Sequence, residues 1–166
     1  MNCDGLSSVS IPEGVTTIGN DAFRYCAKLI DIAIPSTVSS IRENTFYGCA
    51  NISSISIPES VGTIENSVFE GCSSLSSVTI PWNVSSIGTN AFRGCISLIS
   101  IDIPENVQSI GSNAFEGCES LMFVTYLGSS EPVCDSTVFT SINNNVTFCV
   151  TPFYDSNEFC GEDICS

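Results

Sequence analysis

Residues 75–95 read LSSVTIPWNVSSIGTNAFRGC, and this stretch decides the fold because its pattern returns along the chain at a constant spacing of 23 residues. The unbroken register covers five units, 6–28, 29–51, 52–74, 75–97 and 98–120, and predicts a repeat architecture. The recurring prolines and phenylalanines are Pro12, Pro35, Pro58, Pro81 and Pro104, and Phe23, Phe46, Phe69, Phe92 and Phe115.

The first half of each unit has the pattern of a short β-strand. In 75–97, Val78 and Ile80 alternate with Ser77 and Thr79, so the apolar side chains should point inward and the hydroxyl groups outward. Pro81 follows at once, and proline cannot donate a hydrogen bond within a sheet. We therefore expect the strand to end there.

The second half of each unit should return the chain along the other side of a coil. A second apolar pair, Val84 and Ile87, indicates an extended or irregular arm. Asn90 then offers a capping oxygen to a single helical turn that buries Phe92 and Cys95. Glycine at positions 48, 71, 94 and 117 suits the left-handed conformation that often follows such a turn.

One unit of 23 residues cannot fold alone, because its few buried side chains do not offset the conformational entropy lost on ordering the chain. Neighbouring units must share their apolar faces and their strand hydrogen bonds. The expected fold is an α/β repeat solenoid. It is a right-handed coil with a parallel sheet along one side and short helical turns opposite.

The unit in 75–95 resembles the BspA-like, or Treponema pallidum type, leucine-rich repeat found in many bacterial and protist surface proteins. The ending, from VTYLGSSEP at 124–132 to VTFCVTPFYDSNEFCG at 146–161, is similar to the segment that often closes such arrays in parasitic protists. The resemblance implies a curved solenoid with the parallel sheet on its concave side, a cell-surface or secreted location, and adhesion to a protein or glycan on a host cell or matrix.

The repeat decays after 120. The sixth unit keeps Val124 and Tyr126 but loses the proline, and the phenylalanine of the turn slips by one place to Phe139. We interpret 1–126 as the leucine-rich repeat array and 127–166 as a C-terminal capping segment that covers the last coil, since an open end would expose the core and a sheet edge.

The charge of the chain limits its partners. Eighteen acidic residues against four basic ones give a net charge of −14, and no basic residue follows Arg93. The negative electrostatic field repels phosphate, which argues against nucleic acid and anionic membrane surfaces as partners.

No apolar run approaches the roughly 20 residues that span a bilayer, so we expect no membrane insertion. The first residues, MNCDGLSS, lack the pattern of a signal peptide.

Nine of the ten cysteines fall into two groups, five in the repeats and four near the C-terminus, and the tenth is Cys3. Side chains in one column point the same way, so the repeat cysteines are expected to be buried free thiols that fill space beside the phenylalanines. If the protein is secreted, we expect one or two disulfides among the C-terminal cysteines, which allow three pairings if all are bridged. A zinc site is the competing interpretation, although the spacing lacks a C-x-x-C pair. Cys3 is expected to be unpaired or to pair outside this sequence. The repeat cysteines are Cys26, Cys49, Cys72, Cys95 and Cys118, and the C-terminal ones are Cys134, Cys149, Cys160 and Cys165.

The sequence offers little catalytic chemistry. It has no histidine and no glycine-rich phosphate loop. Glu13, Glu59 and Glu105 recur after the strand on alternate coils, too far apart to act as a carboxylate pair, and we interpret them as solvated loop residues. Calcium between acidic loops is the alternative, but no calcium-loop pattern occurs. We expect no enzyme, no cofactor and no metal.

The outward strand positions form the expected binding face, which is flat and rich in small hydroxyl groups. Trp82 and Phe123 depart from that pattern and are the candidate anchors, because large aromatic side chains dominate binding energy. In the competing interpretation, the Trp82 side chain packs on its own loop and the Phe123 side chain packs under the cap. The candidate partner-binding residues are Ser54, Ser56, Ser77, Thr79, Trp82, Ser100, Asp102, Phe123 and Thr125.

These observations favour a non-enzymatic binding or adhesion module of a surface or secreted protein. The alternative is an intracellular leucine-rich repeat scaffold that assembles with other proteins through its ends. The number of copies in the assembly stays open.

Overall fold

The computed structural model describes Cys3 and Gly5–Ile164. The chain winds into a stack of coils, and successive coils are related by a shift of 23 residues: Ser54 pairs with Ser77, and Ser109 pairs with Ser86. All strand pairs between coils are parallel, which confirms the predicted parallel-strand solenoid.

One side of the stack carries strands of three or four residues. Within this series the strands that start at Ser8 and Asp31 pair, those that start at Ser54 and Ser77 pair, and those that start at Ser100, Phe123 and Thr147 form one sheet. The side chains alternate between buried and exposed along most of them, as the sequence predicts. The strands are β1 (Ser8–Ser10), β3 (Asp31–Ala33), β5 (Ser54–Ser56), β7 (Ser77–Thr79), β9 (Ser100–Ile103), β11 (Phe123–Tyr126) and β13 (Thr147–Val150).

A second side carries strands of two residues each. They occupy the arm for which the sequence predicts an extended or irregular conformation, and most of them pair in parallel with the equivalent strand of the next coil. A short antiparallel hairpin of β14 (Glu158–Phe159) and β15 (Glu162–Asp163) follows β13. The strands of the second side are β2 (Thr17–Ile18), β4 (Ser40–Ile41), β6 (Thr63–Ile64), β8 (Ser86–Ile87), β10 (Ser109–Ile110) and β12 (Val133–Cys134).

The prediction of short helical turns is wrong: no helix forms in the described residues, and the fold is built from strands and turns. The reason lies in where the amide groups donate. Phe92 N–H donates to Ala114 O at 2.8 Å in the next coil, while Cys95 N–H donates locally to Phe92 O at 3.1 Å. Asn90 and Gly94 both have positive φ, 57° and 68°. An α-helix has negative φ throughout, and beyond its first turn each amide bonds within the helix, so the positive φ values and the bonds to the next coil exclude one.

The core is a stack of phenylalanine rings. Phe92 lies between Phe69 and Phe115, with ring centroids 5.3 Å apart on both sides and nearly parallel planes. The same spacing links Phe115 to Phe139, so the one-residue slip in the sequence does not interrupt the stack. Offset stacking of this kind adds to the apolar area buried between coils.

Beyond Tyr126 both series of strands continue, because β12 pairs with β10 and β13 pairs with β11. Phe159 then lies over the end of the stack, 6.1 Å from the ring of Phe139 and 4.9 Å from that of Tyr126. It is fully buried there. The division of the chain into 1–126 and 127–166 stays a prediction.

In three units the ninth residue, Thr37, Ser60 or Asn106, donates a cross-coil hydrogen bond, although this position holds no continuous row of asparagines. The Thr37 hydroxyl donates to Val15 O at 2.9 Å, and the Asn106 amide donates to Trp82 O at 2.9 Å. Ser60 donates to the backbone of the preceding coil in the same way. Different polar side chains therefore fill one structural role.

Candidate binding surface

The outward positions of the long strands form two adjacent columns. Ser54 and Ser56 lie opposite Ser77 and Thr79 in the β5–β7 pair, and all four side chains are exposed. Each hydroxyl group is small, so this part of the surface is flat and polar. It offers hydrogen bonds but little apolar area.

The next strands carry larger and charged groups in the same columns. Phe123 in β11 lies opposite Ser100 in β9, and Thr125 lies opposite Asp102. Ser100, Asp102 and Phe123 are exposed, and Thr125 is half-buried. The structure thus brings the strand residues of the predicted face together on one surface.

The two aromatic candidates are both open to solvent. The Trp82 residue is 67% exposed and follows Pro81 at the end of β7, while Phe123 is 50% exposed. The interpretation in which Trp82 packs on its own loop and Phe123 packs under the cap does not fit these exposures. Their part in binding stays a prediction.

Other apolar residues are also exposed, and the sequence does not identify them as binding candidates. Ile99 and Met122 immediately precede β9 and β11, they are 48% and 47% exposed, and Met122 N–H donates to Ile99 O at 2.8 Å. Leu127, which follows β11, and Phe153, which follows β13, are also exposed. The sequence contains one signal for these residues. At the position just before the long strand, Ser53 and Ser76 of two earlier units are replaced by Ile99 and Met122.

The basic side chains lie away from the strand face, in the turns. The Arg93 guanidinium lies between Glu70, at 3.2 Å, and Glu116, at 2.6 Å, in the coils on either side. Arg24 pairs with Asp21 at 2.9 Å, and its guanidinium lies 4.8 Å from the centre of the Tyr47 ring. The contacts of Arg93 with Glu70 and Glu116, and of Arg24 with Tyr47, join successive coils, whereas Arg24 and Asp21 lie in the same coil. None of the described long strands contains lysine or arginine.

All five repeat cysteines are buried, but Cys26 corrects the expectation of free thiols. It forms a disulfide with Cys3, which lies 23 residues earlier and so belongs to the same column. The Cα atoms of this pair are 4.7 Å apart, within the range of a disulfide. Parallel side-chain directions did not prevent the bond at this end of the stack.

The other four repeat cysteines are free thiols: Cys49, Cys72, Cys95 and Cys118. Burial raises the pKa of the Cys49 thiol to about 11 and that of Cys118 to about 12, because the thiolate loses its hydration. The pKa values of Cys72 and Cys95 are raised for the same reason. Such thiols stay protonated near neutral pH and are poor nucleophiles.

At the C-terminus Cys134 is bonded to Cys160. A bridged sulfur is not a thiolate, so this pair is not part of a zinc site. Cys149 lies half-buried in β13, and Cys165 falls outside the described residues. Within the described part of the chain, no group of three or more histidine, cysteine or acidic side chains has the geometry of a metal site.

No helical segment in the part of the chain that the structure describes is long and apolar enough to cross a membrane.

Comparison with known proteins agrees with this geometry. The family model of the BspA type leucine-rich repeat region matches residues 1–122 in six copies. No curated protein sequence matches the chain significantly.

Solved structures show similar solenoids. The leucine-rich repeat protein of T. pallidum is similar with a TM-score of 0.79 and 28% identity, over 87% of this chain and 69% of that one. A leucine-rich repeat protein of Bacteroides ovatus gives a TM-score of 0.67 at 28% identity, over 86% of this chain, which spans 47% of its length. A protein of Eubacterium ventriosum, 19% identical over 93% of this chain and 47% of its own, shares the fold with a TM-score of 0.63.

Proposed function

The chain belongs to the BspA-type leucine-rich repeat family, and from this premise we propose that it is a non-enzymatic binding module of a cell-surface or secreted protein. It recognises a protein or glycan partner on a host cell or matrix. The carrying observation is the long-strand face, where aromatic side chains stand exposed at the edge of a flat hydroxyl surface. We take this face to be the concave side of the solenoid.

The exposure of Trp82 and Phe123 supports binding through this face. Water-exposed aromatic side chains are unfavourable for an isolated protein and supply much of the energy in interfaces. Asp102, between them in the fold, adds a charge that orients a partner. The remaining serines and threonines provide hydrogen bonds around these groups.

The two disulfides, Cys3–Cys26 and Cys134–Cys160, support an extracellular location. Disulfides persist in oxidising compartments and are rare in the cytosol. The column of four free thiols is the observation that favours the alternative, an intracellular scaffold that assembles through its ends. Those thiols are buried, however, and burial protects them from oxidation in either compartment.

Arrays of matrix proteins and of glycans, probed with the purified protein, test the function. A triple variant with Trp82→Ala, Asp102→Asn and Phe123→Ser should lose binding to any array member that the wild type binds, while its thermal unfolding stays unchanged. Retained binding by the folded triple variant would exclude this face. Absence of binding to both arrays would count against the adhesion function itself.

Thiol counting on protein from its native source tests the location. Protection of Cys134 and Cys160 from a thiol reagent in the denatured, unreduced protein would support the surface or secreted assignment. Reaction of all ten cysteines would favour the intracellular scaffold.

A further inference from the structure

We propose that the partner docks on a patch formed by Ile99, Met122, Phe123 and Asp102, and that it presents a basic side chain beside an apolar one on a protein surface. This inference rests on the proposed binding function and names the kind of partner. The patch lies on the last regular coil and the sixth coil, at the start of β9 and β11.

The three apolar residues of the patch are neighbours along the backbone of two adjacent coils. The amide groups of Met122 and Phe123 both donate to Ile99 O, at 2.8 Å and 3.4 Å, which holds the three residues side by side. Each is about half exposed. In the described residues, eight of the ten large exposed apolar side chains occur at or after Trp82, so this end of the solenoid is where apolar contact is available.

The acidic part of the patch lies within reach of the same partner group. Asp102 is exposed in β9, two residues beyond Ser100, which lies opposite Phe123. Diagonal neighbours of this kind are about 7–8 Å apart. A lysine or arginine side chain can therefore contact the Asp102 carboxylate while its alkyl stem, or a neighbouring apolar residue, covers Phe123.

In the described residues, no basic side chain is paired with the Asp102 carboxylate. The long strands contain no basic residue, and none follows Arg93, whose charge is matched by Glu70 and Glu116. The field of the net charge of −14 attracts a cationic partner and repels a second copy of the chain. Charge complementarity thus favours a basic protein over self-association.

The test uses a phage-displayed library of random dodecapeptides, selected on the immobilised full chain. Selected peptides should carry lysine or arginine next to an apolar residue. Their synthetic forms should bind Phe123→Ser at least about tenfold more weakly than the wild type. Asp102→Asn should weaken binding and reduce its salt dependence, because a screened charge pair is lost.

Ile30→Ser is the matched control. Ile30 is 58% exposed, lies in the same column as Ile99 three coils earlier, and precedes an acidic residue, Asp31. Peptide affinity should be unchanged in this variant. The side chains replaced in the patch are exposed, and an unchanged melting temperature will show that each variant is folded.

Several outcomes overturn the proposal. One is selection of peptides without a basic residue, a second is equal binding to the wild type and to Phe123→Ser, and a third is failure to enrich any peptide. If the wild type instead binds a neutral glycan on the array and Phe123→Ser abolishes that binding, the cationic protein partner is wrong while the adhesion function stands.

Discussion

The thiol of Cys95 donates a hydrogen bond to the carbonyl oxygen of Phe69, 3.2 Å away in the preceding coil. The same oxygen accepts the amide N–H of Cys72 at 3.1 Å, so one carbonyl joins two coils. The arrangement repeats along the column, where Cys72 donates to Phe46 and Cys118 donates to Phe92. The repeat cysteines therefore fill space and also bond successive coils.

The carbonyl partner predicts that Cys95→Ser is tolerated. A serine hydroxyl can donate to Phe69 O, so the free energy of unfolding should fall by only about 1 kcal/mol. Urea denaturation measures this, with exposed Ser77→Ala as a control that should change it by less than about 0.5 kcal/mol. A loss well above about 3 kcal/mol would mean that the hydroxyl is buried without a partner.

Burial of Cys49 predicts lower stability at alkaline pH. Its pKa is raised from 9.0 to about 11, so the folded protein holds the thiol proton more tightly than the unfolded chain does. The contribution of the protonated Cys49 thiol to the free energy of unfolding is fully present below pH 9 and is lost as the pH rises through about 11. The free energy of unfolding should therefore decline across this interval, and less steeply in Cys49→Ala. Equal slopes in both proteins would contradict the prediction.

Gly111 is predicted to be the least replaceable glycine of its column. A Cβ atom there would lie 2.5 Å from Thr89 N and 2.8 Å from Gly88 C, both of them backbone atoms of the preceding coil. Gly111→Ala should lower stability by about 2 kcal/mol or more. Gly19, at the same position of the first unit, has nothing within 4 Å of its Cβ position. Gly19→Ala is the matched control in thermal unfolding, and a similar loss in both variants would exclude the close approach as the cause.

The Cys134–Cys160 disulfide is predicted to hold the C-terminal hairpin against the last coils. It joins residues 26 apart, and its loss should cost about 3 kcal/mol through the greater freedom of the unfolded chain. Replacing both residues by serine should speed limited proteolysis of the segment after Tyr126. Cys3→Ser, which breaks the disulfide at the other end, should leave proteolysis of that segment unchanged.

Glu70→Lys should destabilise the stack by about 1–2 kcal/mol, because it sets a cation beside Arg93 in place of a half-buried ion pair. Glu119→Lys, an exposed change on the same surface, is the control. Chemical denaturation of the two variants measures the difference. A larger loss in Glu119→Lys would show that the Glu70–Arg93 contact is not the cause.

The sequence predicts the strands well because the alternation of side chains along each strand indicates directly which of them are buried. Val124 and Tyr126 are buried in β11 as their alternation with Phe123 and Thr125 indicates. It predicts the turn segment poorly. Asn90 to Cys95 has the capping and glycine signals of a short helix, but these signals describe only the bonds that a segment makes with itself.

The sequence predicts the binding patch less well than the strands and better than the turn segment. Phe123 and Asp102 are identified by their departure from the serine-rich columns. Ile99 and Met122 are not identified by the sequence, because an apolar residue just before a strand is as compatible with burial as with exposure. Their exposure depends on which way the backbone turns into β9 and β11.

The sequence by itself determined the period, the parallel stacking and the identity of the core columns, because a shift of 23 residues superimposes proline on proline and phenylalanine on phenylalanine. Only the tertiary structure decided how the turns are bonded, that Cys3 pairs with Cys26, and which apolar residues face water. The physical reason is that these features depend on the neighbouring coil. Its carbonyl groups compete with those of the helical turn for the same amide hydrogens, and its position sets the distance between the two sulfur atoms.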